Sequence, residues 1–279
     1  MTRALALYIS YFLFRQTPVL VYSVERSGSV ALLHSLQSHG VFAIGAHYLS
    51  PQMLSQRHHS GSARWASKHI ISKRKPAKVI SMVRSPIDNM LSTYARECYG
   101  QQTSEQSETA RQSTPDELSQ EFCRTYLQSD DYLHPLSWFE TEFQLALGID
   151  VYQHPFDQQR RFARFREKSY DVLILGTKME DEYKSKLVAD FVGIPQLEIS
   201  SAAVASETSA SSKQHRLPPG RPGKQAAYAD KYEALRQHVE IPDEYLAAIV
   251  DSRYAQHFFS EQEREAIRSK YCAKVRSGQ

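Results

Sequence analysis

The sequence predicts an α/β protein in which helices cover both faces of a central parallel sheet. Three observations predict it: short apolar runs of strand-like composition recur, helical patterns fall between them, and glycines follow three of those patterns. Strands that alternate with helices are typical of a parallel sheet between two helical layers. The 279 residues, 41% hydrophobic and 23% charged, have globular composition. The prediction is therefore a three-layer sandwich, one domain over residues 1–279, with a helical C-terminal tail.

Four short runs rich in aliphatic residues are the predicted strands. Each is bounded by polar, glycine or proline residues, as strands usually are. The runs are Val19–Val24, Val41–Ala46, Lys78–Val83 and Asp171–Leu175.

Helices are predicted where apolar residues recur at helical spacing. Gly40, Gly148 and Gly193 stand just past three of these patterns, in the position where a glycine commonly ends a helix. The predicted helices are Val30–His39, Ala63–Lys73, Ile87–Cys98, Leu118–Gln128, Ser137–Leu147 and Asp181–Val192.

Two polar stretches interrupt the alternation. Gly100–Pro115 has almost nothing to bury and is predicted to be a surface excursion. Residues 200–223 are rich in Ser, Ala, Pro and Gly, which predicts a flexible loop. The chain after this loop has two or three helical patterns, too few for a core of its own, so the loop is predicted to lie within the single domain.

Composition excludes several classes of protein. A net charge of +3 is too small for a dedicated nucleic-acid binder. The three widely spaced cysteines form neither a metal pattern nor a disulfide framework, which favours a cytoplasmic protein. The apolar run Ala4–Phe14 is shorter than the about 20 residues of a membrane-spanning helix. It is predicted to pack on the core, with shallow membrane contact as the alternative.

The turn between the first strand and the first helix has the residues of an anion site. Gly28 allows close backbone approach, and the amides of Ser29 and Val30 lie at the helix start, where N–H groups and the helix dipole favour an anion. Arg26 adds a charge-assisted donor, and Ser27 adds a hydroxyl. An ordinary capped helix after a strand explains the same pattern equally well. The Walker and GxGxxG patterns are absent.

A second segment, Lys78–Arg96, repeats this arrangement. Its strand ends in Arg84, Pro86 suits the first turn of the next helix, and Ser92 lies about two turns further on. Parallel sheets bind ligands at the carboxyl edge of their strands. Two such units at one edge favour one ligand with two separated anionic groups.

Together the segments RSGSVALLHSL and VISMVRSPIDNMLSTY resemble the 5′-phosphosulfate loop and the 3′-phosphate motif of sulfotransferases, which use 3′-phosphoadenosine-5′-phosphosulfate (PAPS). The segment DVLILGTKMEDEYKSKLVADFVGIP resembles a later strand and helix of that family. WFETEFQLALGIDVYQHPFD and SRYAQHFFSEQE are similar to capsular polysaccharide synthesis proteins, a sulfotransferase-like set. The matched motif residues are Arg26, Ser27, Gly28 and Ser29 in the first segment, and Arg84, Pro86 and Ser92 in the second.

The resemblance implies a P-loop-like, sulfotransferase-like fold and transfer of a sulfuryl group from PAPS to a hydroxyl acceptor, such as a polysaccharide or glycan precursor in capsule biosynthesis. It implies that residues 26–30 hold the 5′ end of the nucleotide and that Arg84 and Ser92 hold its 3′-phosphate. A late loop of the family supplies a further donor, for which Lys224 is the candidate, with Lys213 and Arg221 as alternatives.

Two positions depart from the family pattern. Many members carry an aromatic residue that stacks on adenine where this chain has Ala31. The basic residue of the loop is Arg26 rather than lysine. Because an arginine keeps its proton, its help to the leaving phosphate is electrostatic.

His47 is the predicted general base. It ends the strand Val41–Ala46, which is predicted to lie beside the first strand, and related enzymes use His or Glu at this place. Histidine changes charge near neutral pH, as a base requires. A structural, hydrogen-bonded histidine is an equally weighted alternative. No metal is predicted, because Arg57–His59 lacks a third ligand at zinc spacing.

Two other functions are compatible with the sequence. One is a non-catalytic nucleotide- or glycan-binding protein on the same fold, which Ala31 favours. The other is a P-loop phosphotransferase, which the missing Gly-Lys-Ser/Thr disfavours. The predicted partners are PAPS and a hydroxyl acceptor, with neither nucleic acid nor a transmembrane segment, and the oligomeric state is left open.

Overall fold

The computed structural model describes residues 17–56, 60–100, 114–199 and 232–272. In these residues five strands form one sheet in the order β2–β1–β3–β5–β4. The strands are β1 Val19–Tyr22, β2 Ala43–Ala46, β3 Ala77–Val83, β4 Phe162–Glu167 and β5 Tyr170–Gly176.

The four predicted strands are confirmed, and they are mutually parallel. β1 pairs with β2 on one side and β3 on the other, and β3 pairs with β5. Tyr22 at the end of β1 is in register with Ala46 at the end of β2, so the loops that follow leave the sheet at the same edge.

The predicted parallel sheet is confirmed in four strands, but the sheet is mixed, because a fifth strand that was not predicted, β4, runs antiparallel to β5 at its edge. A two-residue turn at Lys168 and Ser169 joins the two strands, and Lys168 takes a left-handed φ of 55°. Arg164 and Arg166 alternate outward along β4. Charged outward side chains are usual on an edge strand, where they hinder pairing with another chain, and they hide the apolar signal by which strands are found.

Helices occupy all six predicted positions. Gly40, Gly148 and Gly193 follow their helices with φ of 74°, 70° and 85°, as the prediction required. Three helices contain a π-helical segment, Ser67–Ile71, Phe122–Leu127 or Phe139–Phe143. The α-helices are α1 Ser29–Ser38, α2 Pro51–Gln56, α3 Gly61–Ala66, α4 Pro86–Gly100, α5 Pro115–Glu121, α6 His134–Trp138, α7 Gln144–Leu147, α8 Asp181–Val192, α9 Asp243–Val250, α10 Arg253–Phe258 and α11 Glu261–Tyr271. Asp130–Leu133 and Val151–Gln153 are 3₁₀ turns, and residues 232–238 are also helical.

The sheet buries both of its faces. One face packs against Leu32 and Leu36 of α1 and Val188 and Phe191 of α8. On the other face the Tyr22 ring meets Trp138 edge-on, with 4.9 Å between ring centroids, and stacks on Phe143 at 5.5 Å. The α/β class is thereby confirmed, whereas the P-loop-like, sulfotransferase-like form of it remains a prediction.

The described residues fall into two compact units. The first contains the sheet, with the chain up to Arg84 and from Trp138 to Ile199. The second contains residues 85–137 and 232–272, and an aromatic cluster of Tyr94, Phe122 and Tyr126 lies in its core. The single domain over 1–279 stays a prediction. Several predicted features lie outside the described residues: Ala4–Phe14, Arg57–His59, most of Gly100–Pro115, the loop 200–223, and Lys224.

In the described ranges, no helix combines the length and the apolar character that crossing a bilayer requires.

Candidate functional site

The loop between β1 and α1 has an unusual backbone. Arg26 and Gly28 both take left-handed conformations, with φ of 62° and 83°. A Cβ added at Gly28 would meet nothing within 4 Å, so backbone conformation rather than space requires glycine there. A non-glycine residue such as Arg26 reaches this region only when surrounding contacts hold it, and such positions are frequent at ligand-binding sites.

Ser27 is the residue of this loop that the folded chain leaves unsatisfied. Its side chain is 0% exposed, and its Oγ has no hydrogen-bond partner among the described residues. Buried hydroxyls are nearly always hydrogen-bonded, so an exception calls for an explanation. In the described chain, α1 also begins without a side-chain cap, because its N-cap residue is Gly28. An anion at this helix end would satisfy both the hydroxyl and the first amides of α1.

Arg84 links the loop after β3 to the loop after β1. Its guanidinium is half-buried, and Nη1 donates to the carbonyl oxygen of Arg26 at 2.7 Å. After β1 the chain continues to β2, on one side of the β1–β3 pair. After β3 it continues to β4 and β5, which lie on the other side of that pair. Two neighbouring parallel strands whose chains depart in opposite directions form a crevice where α/β proteins bind ligands.

His47 follows β2 and is oriented by the end of β1. Its half-buried ring lies with Nδ1 2.8 Å from the carbonyl oxygen of Ser23. Because a carbonyl can only accept, Nδ1 carries the proton, and the neutral ring then keeps its lone pair on Nε2. Ser23 is itself fixed, because its buried Oγ accepts a hydrogen bond from the amide of Met82 in β3 at 2.8 Å.

The sequence did not predict a role for Trp138 and Glu142, which bind the backbone at and after His47. The indole Nε1 of Trp138 donates to the carbonyl oxygen of His47 at 3.1 Å. Glu142 is 0% exposed and accepts hydrogen bonds from the backbone amides of Leu49 and Ser50, at 2.5 and 2.9 Å. The sequence does contain a signal for Glu142: it is a carboxylate on the apolar side of the segment WFETEF, one helical turn after Trp138. A carboxylate placed there is predicted to be buried, and a buried charge needs hydrogen-bond donors from the protein.

The remaining predicted residues lie as follows. Ser29 is buried at the start of α1, and Val30 is 48% exposed beside it. Ser92 is buried on α4 and belongs to the second unit. The structure therefore brings Arg26, Ser27, Gly28, Arg84 and His47 to one edge of the sheet, and the role of Ser92 stays a prediction.

No group of three or more His, Cys, Asp or Glu side chains in the described part of the chain is placed to hold a metal ion.

Comparison with known proteins gives one family. Residues 125–260, just under half of the chain, match the family model described as "Putative capsular polysaccharide synthesis protein". No curated protein and no solved structure matches the chain. The matched stretch contains Trp138 and Glu142 but none of the loops after β1, β2 and β3. The chain is thus similar to the capsule-synthesis family in the half that contains Trp138 and Glu142, the residues that bind the backbone at and after His47.

Proposed function

We propose that this protein is a sulfotransferase that moves a sulfuryl group from PAPS to a hydroxyl on a saccharide acceptor. One observation carries the proposal: the hydroxyl of Ser27 is fully buried and unpartnered among the described residues, in a loop that resembles the 5′-phosphosulfate loop. The saccharide rests on the similarity of residues 125–260 to a capsule-synthesis family.

The loop after β1 holds the 5′ end of the nucleotide in this proposal. Ser27 and the first amides of α1 donate to the phosphosulfate, and Arg26 offsets the charge that develops on the leaving phosphate. Arg84 keeps the loop in its binding conformation through the Arg26 carbonyl. In this proposal its guanidinium also donates to the 3′-phosphate, as the resemblance implies, since a guanidinium has five donors.

His47 removes the proton of the acceptor. The acceptor oxygen attacks sulfur, the bond from sulfur to the bridging phosphate oxygen breaks, and the acceptor proton passes to Nε2. The products are a sulfate ester and 3′-phosphoadenosine-5′-phosphate. The hydrogen bond from Nδ1 to Ser23 supports this role, because it leaves Nε2 as the basic nitrogen and stabilises the protonated ring.

A second candidate is a binding protein that has kept the fold without transfer. Ala31 favours it, because this half-buried residue on α1 offers no aromatic face to an adenine ring. In that case the loop would still bind an anion, but weakly and without selectivity for the adenine nucleotide.

Calorimetric titration of the full chain separates these functions. Tight binding of 3′-phosphoadenosine-5′-phosphate with weak binding of ATP is the result expected for a sulfotransferase. Preference for ATP would overturn the proposal in favour of phosphotransfer, and binding of neither nucleotide would favour the non-catalytic protein. Transfer of the labelled sulfuryl group from PAPS to a panel of glycans then tests the catalytic activity.

A further inference from the structure

Glu142 is the most enclosed charged side chain beside the candidate site. Its carboxylate is 0% exposed and accepts from four donors: the hydroxyl of Tyr22 at 2.5 Å, the amides of Leu49 and Ser50, and the Ser50 hydroxyl. Burial, and next the negative charge of Glu142, raise the pKa of Tyr22 well above its usual value, so that hydroxyl keeps its proton and donates. Such a site is costly to build, since a buried carboxylate needs several donors to replace water.

The donors belong to the ends of two strands. Tyr22 is the last residue of β1 and precedes Ser23, whose carbonyl receives the Nδ1 proton of His47. Leu49 and Ser50 follow His47 in the turn after β2. The Glu142 carboxylate therefore links the end of β1, next to Ser23, to the turn after β2 that carries His47.

A single helical segment makes the attachment. Trp138 and Glu142 lie four residues apart, so they project from the same side of the helix. Trp138 holds the carbonyl of His47, and Glu142 holds the amides of Leu49 and Ser50. The segment passes into π-helix at Phe139–Phe143, a form often found at functional sites.

We infer that Glu142 is a positioning residue that fixes the ring of His47 as the Nδ1-protonated tautomer, facing the loop edge of the sheet. The inference rests on the proposed function, in which His47 takes the acceptor proton. Catalysis is sensitive to such placement, since a shift of about 1 Å can lower turnover roughly a hundredfold.

The expected signature separates positioning from mere stability. Glu142→Gln keeps the size of the side chain, but it removes the charge and places an NH₂ group against donors. The turn should loosen, His47 should exchange between tautomers, and kcat should fall about a hundredfold. The KM for PAPS should stay unchanged, because the donors to the Glu142 carboxylate come from Tyr22, Leu49 and Ser50 and not from the loop residues 26–30.

The direct readout is the nitrogen spectrum of the His47 imidazole in the ligand-free protein, assigned by its loss in His47→Asn. The wild type should show a single Nδ1-protonated ring, and Glu142→Gln a mixture of tautomers. Ser185→Ala is the matched control, because it removes another buried hydrogen bond of the same unit, from the Ile199 amide to the Ser185 hydroxyl. This control should lower stability and leave the His47 spectrum unchanged.

A second variant decides the matter if Glu142→Gln does not fold. Ser50→Ala removes only the hydroxyl donor to Glu142 and should give the same signature to a smaller extent. A folded Glu142→Gln or Ser50→Ala protein with one Nδ1-protonated His47 and wild-type kcat would overturn the inference. Since the spectrum needs no nucleotide, failure of the proposed function shows separately, as absent binding of 3′-phosphoadenosine-5′-phosphate to a wild type whose His47 is well ordered.

Discussion

Arg26 and Gly28 hold the loop after β1 in a conformation that L-amino acids adopt rarely. At Gly28 the reason is the backbone alone, because the space around an added Cβ is open. The structure offers a counterpart in Gly193, which follows α8 with a φ of 85° and equally open space. These two glycines allow backbone strain to be separated from ligand binding.

We expect Gly28→Ala and Gly193→Ala to lower the free energy of unfolding by a similar amount, about 1–2 kcal/mol, because each forces a Cβ into the left-handed region. Urea denaturation measures this cost. Only Gly28→Ala should also weaken 3′-phosphoadenosine-5′-phosphate, since only that glycine shapes the loop. Equal affinity in both variants would remove the loop from the nucleotide site.

His47→Ala should lower the rate of sulfate transfer by about 10²–10⁴ and leave nucleotide affinity nearly unchanged, because the ring acts on the acceptor proton. The measurement is turnover of labelled PAPS with any acceptor that the wild type uses. His39→Ala is the matched control: that exposed ring also has its Nδ1 close to a backbone carbonyl, Ser35 O at 2.8 Å, but it lies at the end of α1. Wild-type turnover in His47→Ala would make His47 structural.

At the scale of elements, the site depends on β1 and β3 being neighbours. Their pairing allows Arg84, just past β3, to reach the Arg26 carbonyl. The motif resemblance assigns Arg84 to the 3′-phosphate alone. The contact with Arg26 adds a second role, because loss of the guanidinium would also release the loop that holds the 5′ end.

We therefore expect Arg84→Ala to weaken both 3′-phosphoadenosine-5′-phosphate and adenosine-5′-phosphosulfate, which lacks the 3′-phosphate. Ser92→Ala should weaken only the former, because its predicted contact is with the 3′-phosphate. Loss of a charge-assisted bond costs about 1.5–3 kcal/mol, roughly ten- to a hundredfold in affinity, and calorimetry resolves such changes. Arg166→Ala, on the exposed face of β4, is the control. Unchanged affinity of Arg84→Ala for adenosine-5′-phosphosulfate would contradict the second role.

The sequence predicted the elements whose signal is local. Four strands and six helices followed from aliphatic runs, helical spacing and glycine ends. β4 was not predicted, because its sequence FARFRE mixes arginine with phenylalanine on an exposed edge and has no aliphatic run. The π-helical segments escaped because a change from α-helix to π-helix depends on packing. At Phe139–Phe143, that packing sets Trp138 and Phe143 against Tyr22, more than a hundred residues away in the chain.

In the whole molecule, the residues of the candidate site also fall into two groups: those that local sequence signals predict and those that depend on distant contacts. Arg26–Ser29, Arg84 and His47 could be found from the sequence, because they directly follow strands that a parallel sheet brings to one edge. Ser23 and Trp138 could not, and for Glu142 the sequence shows only a carboxylate among apolar residues and not its partners. The reason is that their roles arise from contacts between distant residues, 91 positions apart for Trp138 and His47 and 120 for Tyr22 and Glu142. The family similarity covers only the second of these groups in part, at Trp138 and Glu142.

The buried hydroxyl of Ser27 is the proposed donor to an anionic nucleotide, and Ser81 provides the matched comparison. Both serines are 0% exposed, and neither Oγ has a partner among the described residues, but Ser81 lies within β3. Removing an unpaired buried hydroxyl should not lower the stability of the free protein in either case.

The most direct measurement is calorimetric titration of 3′-phosphoadenosine-5′-phosphate into the wild type, Ser27→Ala and Ser81→Ala under the same conditions. We expect Ser27→Ala to bind roughly ten- to a hundredfold more weakly than the wild type, because it loses a hydrogen bond to a charged group. Ser81→Ala should bind like the wild type. Equal affinity of all three proteins, or no binding by the wild type, would show that Ser27 does not bind the nucleotide.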